Sequence, residues 1–128
     1  EAAYELKASE QGALLLICDR GRLDGAAYTP GGLEEFCRRY GVNADEAFAC
    51  YHSVFHLEST AVGDPEFYGQ ANNSARFEDA EEARALEFKT RAAWEKHPSW
   101  TLMSCVGGLE GKIRVVCQSL RWMIADGS

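Results

Sequence analysis

The chain has 128 residues, enough for one domain with one core, and at 46% hydrophobic and 26% charged it reads as an ordinary globular protein. Twenty acidic side chains against thirteen basic ones give a formal charge of −7, which repels nucleic-acid phosphates and anionic membranes and disfavours both as partners. No apolar run approaches the ~20 residues a membrane span needs.

Residues 1–10 carry Ala2, Ala3 and Leu6 at helical spacing, and Gly12 fits a helix stop. Ala13–Cys18 (ALLLIC) is a continuous apolar run without alternation, which predicts a parallel strand buried on both faces. The polar, Gly-containing stretch Asp19–Gly25 follows as a loop. Gly32–Tyr40 reads as a helix ended by Gly41, and Asn43 caps a short helix over 44–51 with Glu46 at its third position. Ser53–Glu58 (SVFHLE) is a second buried strand. Residues 59–78 are rich in Gly, Asn, Ser and Pro, have no period, and predict a long lid-like loop. Asp79 is expected to open a helix over 80–96, with Glu87 and Arg91 as an i,i+4 pair and Pro98 as the stop. Trp100–Cys105 is a third strand, and Leu109, Ile113, Val116, Leu120 and Met123 form an apolar helix stripe.

Strands separated by helices imply an α/β fold: a parallel sheet flanked by helices, three layers in all. Three strands are few for such a sheet, so an incomplete sheet within one truncated domain over 1–128 is expected. The chain begins at Glu1 rather than Met, which leads us to expect residues upstream of it.

Cys18, Cys37, Cys50, Cys105 and Cys117 are odd in number and have no C-x-x-C spacing, which suits a reducing compartment, cytoplasm or organelle interior. Cys18 and Cys105 sit in apolar runs and are expected to be buried. His52 and His56 are four apart along a strand, a poor chelating geometry, and are expected to be core or hydrogen-bonded residues. Trp94, Trp100 and Trp122 are expected to pack.

Ligands of open α/β sheets bind outside the carboxyl ends of the strands. That singles out Asp19-Arg20-Gly21, Glu58-Ser59 and Ser104-Cys105. A carboxylate directly after a buried strand can hold Mg²⁺ or its waters, and an adjacent Arg can grip a phosphate; the alternative is that Asp19 caps a turn. Arg76, with Asn72 and Asn73 in the same loop, could neutralise a transferring phosphoryl group or be a solvated loop residue. Gly107-Gly108-Leu109-Glu110-Gly111-Lys112-Ile113 imitates a phosphate-binding loop, G-x-x-x-x-G-K-[ST]. Its first glycine is one residue too close and Ile113 replaces the hydroxyl. It reads as an ordinary Gly-rich helix start with Lys112 in solvent.

Taken in order, Asp19-Arg20-Gly21 with Asp24-Gly25 and Tyr28, then Tyr51, Val54, His56 and Leu57, then Tyr68, Asn72 or Asn73 and Arg76, then Glu81–Leu86, then Trp94 with His97-Pro98, resemble one family. It is the AAA-type ATPase family of P-loop NTPases that includes domains similar to nicotinamide-riboside kinases and to the channel translocation-defect proteins. The resemblance covers nearly the whole chain from residue 13, without the phosphate-binding loop. It departs at His52, where the family has Asp, and at Ser104 and Cys105, where the family has Asp-Asn.

The resemblance implies a partial kinase-like P-loop fold with Mg²⁺ and ATP or GTP as cofactors. Asp19 would serve the metal or the acceptor, Arg20 and Asp24 would position the acceptor, Arg76 would be the lid arginine, and Asn73 and Ser104 would lie at the nucleotide. Two functions follow as expectations: a phosphotransferase or NTPase domain inactive as this chain alone, or a non-catalytic subunit of a larger complex. In either, a protein partner or an N-terminal segment is expected to cover the open sheet edge.

Overall fold

The structure, a computed structural model, describes residues 1–59, 74–104 and 108–125. Helix α1 spans Ala2–Glu10. Gly12 ends it with φ 69°, and the amides of Gly12 and Ala13 donate back to the carbonyls of Ser9 and Ala8. This is the left-handed glycine stop, which satisfies two orphan carbonyls. A 3₁₀ turn, Asp24–Tyr28, leads to α2, Gly32–Tyr40, which Gly41 closes at φ 65°. Helix α3, Ala44–Ala49, is capped by Asn43, whose side chain accepts from the Glu46 amide at 3.0 Å.

Strand β1, Val54–Leu57, and strand β2, Trp100–Met103, pair in parallel, Val54 opposite Trp100 through Leu57 opposite Met103. Between them runs α4, Ser74–Trp94. Helix α5, Gly108–Ala125, follows β2. A parallel pair with a helix in its crossover is the α/β arrangement expected.

The core lies beside this ribbon rather than on it. Leu23, fully buried, meets Ala26, Ala47, Phe48, Ala93 and Trp94, with Leu33, Phe36, Tyr51, Val54 and Trp100 packed around them. Three-residue spacing explains why Leu23 and Ala26 both turn inward from one 3₁₀ turn. His97 joins the pieces: its Nε2 lies 3.1 Å from the Phe48 carbonyl and 2.8 Å from that of Tyr51, while its Nδ1 accepts from the Ser99 amide at 2.9 Å. The carbonyls require a donor, so Nε2 carries the proton.

Several expectations are corrected. Ala13–Cys18 is not a strand. It pairs with no strand among the described residues, and Leu14 and Ile17 are 86% and 70% exposed, with Cys18 also exposed. An apolar run becomes a sheet strand only where another strand lies beside it, and neither β1 nor β2 does. The three-layer sheet is therefore a two-stranded ribbon among the described residues. Helix α4 begins at Ser74, not at residue 80, because Ala75-Arg76-Phe77-Glu78 are adequate helix formers and Asp79 is interior to the helix. Glu87 does not pair with Arg91; a buried histidine on β1 takes it, and Arg91 turns to Glu95 at 3.3 Å and to the face of Trp100. Trp122 is 67% exposed rather than packed. Lys112 is buried rather than in solvent. Its ammonium donates to the Glu58 carbonyl at 2.9 Å, which its long apolar stem allows from the first turns of α5. Residues 60–73, holding most of the expected lid with Tyr68, Asn72 and Asn73, and Cys105 lie outside the described residues. Among the described residues no helix is long and apolar enough to cross a membrane.

Candidate functional site

The turn Asp19–Arg22 is built against two aromatic rings. Trp94, from the end of α4, and Tyr51, just before β1, meet edge to face with centroids 5.2 Å apart. The backbone of Gly21 passes over them so closely that a Cβ there would stand 2.7 Å from two Trp94 ring carbons and 3.1 Å from the Tyr51 oxygen. Glycine is required by space at this position, not by its dihedral angle. Gly21→Ala is expected to cost about 1–3 kcal/mol, the range for overpacking a closed contact. Urea unfolding checks this, and a loss within 0.5 kcal/mol, or about the scatter of a neutral surface change, would contradict the packing.

Hydrogen bonds complete the turn. The Gly21 amide donates to Asp24 Oδ2 at 2.7 Å, and the Trp94 indole N–H donates to Asp24 Oδ1 at 2.7 Å. The Arg22 amide donates to the Tyr51 oxygen at 2.8 Å, and the Tyr51 hydroxyl donates to Glu1 Oε2 at 2.5 Å. Burial above all, and then the bond to the Glu1 carboxylate, push the Tyr51 hydroxyl above the ordinary tyrosine range, so it keeps its proton and its donor role. The Arg22 guanidinium reaches Glu1 at 3.0 Å, Glu5 at 3.5 Å and the Cys50 sulfur at 2.8 Å. These contacts tie α1 to the body of the molecule.

Asp19 and Arg20 are exposed and line a cavity of about 470 Å³, whose other walls include Glu1, Tyr4, Leu16 and Ile17. That volume is comparable to small-molecule sites, but the space is open to solvent and its walls are mostly exposed side chains. Arg20 has φ 79°, the one positive-φ residue among the described non-glycines. A side chain in that left-handed region costs about 1–3 kcal/mol and persists only where neighbours over-determine it.

The structure thus brings Asp19 and Arg20 together and places Asp24 directly beneath them with both carboxylate oxygens engaged. It does not bring them to the strand ends. Tyr51 and Trp94, which hold the turn, precede β1 and β2, whereas Glu58 and Ser104 leave the opposite, carboxyl ends, and none of Glu58, Ser59 or Ser104 lines the cavity. Ser104 is exposed. Arg76 falls in the first turn of α4, and Asn73 lies outside the described residues.

At the carboxyl end of β1 a second polar group stands. His56 Nε2 lies 2.6 Å from Glu87 Oε1, both side chains about nine-tenths buried, and the Ser59 amide donates to Glu87 Oε2 at 3.3 Å. Lys112 reaches the Glu58 carbonyl from the same side. Sequence reasoning missed Trp94 and Tyr51 as parts of the site. The residues of the D-R-G-x-x-D segment were visible in sequence, but their aromatic floor comes from positions 27 to 75 residues downstream.

Among the described residues no group of three or more His, Cys, Asp or Glu side chains is arranged to hold a metal ion. Asp19 offers a single carboxylate, which suits a Mg²⁺ ion whose remaining ligands are phosphate oxygens and water. A protein-family model described as an AAA domain matches residues 1–106. Searches of curated proteins and of solved structures found no match.

Proposed function

Because this chain belongs to the AAA domain family, and is P-loop NTPase-like at that level, we propose that it is the kinase-like part of a nucleotide-binding domain whose phosphate cradle is supplied from outside these 128 residues. The observation that carries the reading is the Asp19–Arg20 pair on the wall of a ligand-sized cavity. Asp19 holds the Mg²⁺ of bound ATP or GTP and Arg20 pairs with phosphate oxygens. On the family resemblance Arg76 and Asn73 would serve the phosphates and the nucleotide, whereas Ser104, at the opposite strand ends, lies off this cavity. When bound, Mg²⁺ supplies charge neutralisation at the phosphates. We assign the protein to a reducing compartment on its odd cysteine count.

No stretch of the sequence reads G-x-x-x-x-G-K-[ST], the loop whose backbone amides and Lys provide most phosphate contacts. The 128-residue chain alone is therefore expected to show no ATP or GTP turnover in a phosphate-release assay. It is expected to bind a fluorescent ATP or GTP analogue weakly with Mg²⁺, and Asp19→Ala and Arg20→Ala are each expected to weaken that binding about tenfold, the effect of losing one charge-assisted contact. Turnover that survives repurification and vanishes on Asp19→Ala would refute inactivity. Binding indifferent to both substitutions would refute the site.

A second reading, a non-catalytic subunit of a larger complex, is favoured by the exposure of Leu14 and Ile17 in an apolar run that pairs with no strand among the described residues. It predicts association, and a monodisperse monomer by light scattering would count against it.

A further inference from the structure

The resemblance gives Asp24 to the acceptor, but the geometry points to a different task. We infer that Asp24 and Trp94 form a positioning clamp that holds Arg20 in its left-handed conformation and so presents Asp19 and Arg20 together to the cavity. The clamp is a matter of this chain's own geometry; what the presented pair binds rests on the nucleotide reading above.

Arg20 adopts φ 79° while exposed, so burial of its side chain cannot be what holds it there. The constraint must come from the next residues. Gly21 is fixed on three sides: its amide by Asp24 Oδ2 at 2.7 Å, its carbonyl by the Asp24 amide at 3.2 Å, and its Cα by the Trp94 ring beneath. Arg22 is fixed by the Tyr51 oxygen at 2.8 Å, and Leu23 is fully buried. Between Gly21 and Leu23 the chain has one path, and the left-handed turn at Arg20 is how Asp19 joins it.

Within that arrangement Asp24 is the shared element. One carboxylate oxygen takes the backbone of the turn and the other takes the indole of Trp94, 70 residues away. The indole bond sets the rotation of the carboxylate, and the carboxylate sets Gly21. Both bonds are charge-assisted and short, the stronger kind. One site on each carboxylate oxygen is thus committed to holding the turn. Trp94 lies in the core at 6% exposure, so the clamp is anchored in the packed core.

Trp94→Phe keeps an aromatic ring in the core but removes the indole donor and part of the ring beneath Gly21; Asp24→Ala deletes both bonds and leaves that ring intact. The test uses the 128-residue chain labelled with ¹⁵N. A left-handed residue shows a strong intraresidue NOE between its amide and its Hα. The wild type is expected to show it at Arg20, Trp94→Phe to weaken it, and Asp24→Ala to abolish it, while the amide resonances of β1 and β2 stay in place.

Fluorescent nucleotide binding is measured on the same variants. Trp94→Phe is expected to weaken it about tenfold and Asp24→Asn, which retains one acceptor oxygen, to lie between Asp24→Ala and wild type. An Arg20 NOE unchanged in both Trp94→Phe and Asp24→Ala would overturn the clamp. An NOE that collapses in these variants while Arg20→Ala leaves nucleotide binding untouched would sustain the clamp and overturn the nucleotide reading.

Discussion

Trp94→Ala is expected to lower the unfolding free energy by about 3–5 kcal/mol, the range for emptying a large aromatic from a packed core. Trp94 is 6% exposed and stands where the elements meet: Phe48 lies at a 6.2 Å centroid distance, Tyr51 at 5.2 Å, and Gly21 rests on its ring. Phe48, which borders the space, is itself held by the edge of His97. The substitution also removes a donor from Asp24. A domain of this size has about 5–15 kcal/mol in total, so the variant should stand close to unfolding at room temperature. Urea denaturation followed by circular dichroism measures it. A loss under about 1 kcal/mol would mean that the space closes without cost and that Trp94 is not part of the core.

Glu87→Ala is expected to cost about 2–4 kcal/mol through a different mechanism. The side chain is 11% exposed and its two oxygens serve His56, 8% exposed, and the Ser59 amide. Alanine leaves the His56 ring nitrogen buried beside Trp100 with no partner in place of Glu87. The penalty comes from that stranded group rather than from the lost attraction. The double variant His56→Leu with Glu87→Leu should therefore be less destabilised than the sum of the two single losses, by more than about 1 kcal/mol. Strict additivity in a thermal or urea series would show that the two side chains do not sense each other.

Local signals were legible in the sequence. Gly12, Gly41 and the Asn43–Glu46 cap act over a few residues through backbone hydrogen bonds, and the helix ends they predict are the ends found. The parallel pairing of SVFHLE with the run from Trp100 was legible as well, because both runs are apolar and a helix separates them.

Tertiary choices were not legible. Ala13–Cys18 has the composition of a strand, but composition cannot supply the neighbour that makes one. Glu87 has Arg91 at ideal helical spacing, yet a buried imidazole on another element outcompetes an exposed guanidinium because water no longer screens it. The Asp24–Trp94 bond spans 70 positions, and nothing in either residue's surroundings announces the other. For the candidate site, the sequence marked Asp19, Arg20 and Asp24 as a group, and the structure separates them into a presented pair and the support beneath it.

The exposure of Leu14, Ile17, Leu109 and Trp122 in the folded chain has a thermodynamic consequence. Oily surface that is already wet cannot be newly wetted by melting, and new wetting of such surface is what gives unfolding its large heat-capacity increment. The stability curve of this chain is accordingly expected to be broad, with a free energy that changes slowly with temperature on both sides of the maximum and falls less on cooling than that of a protein with a sealed interior.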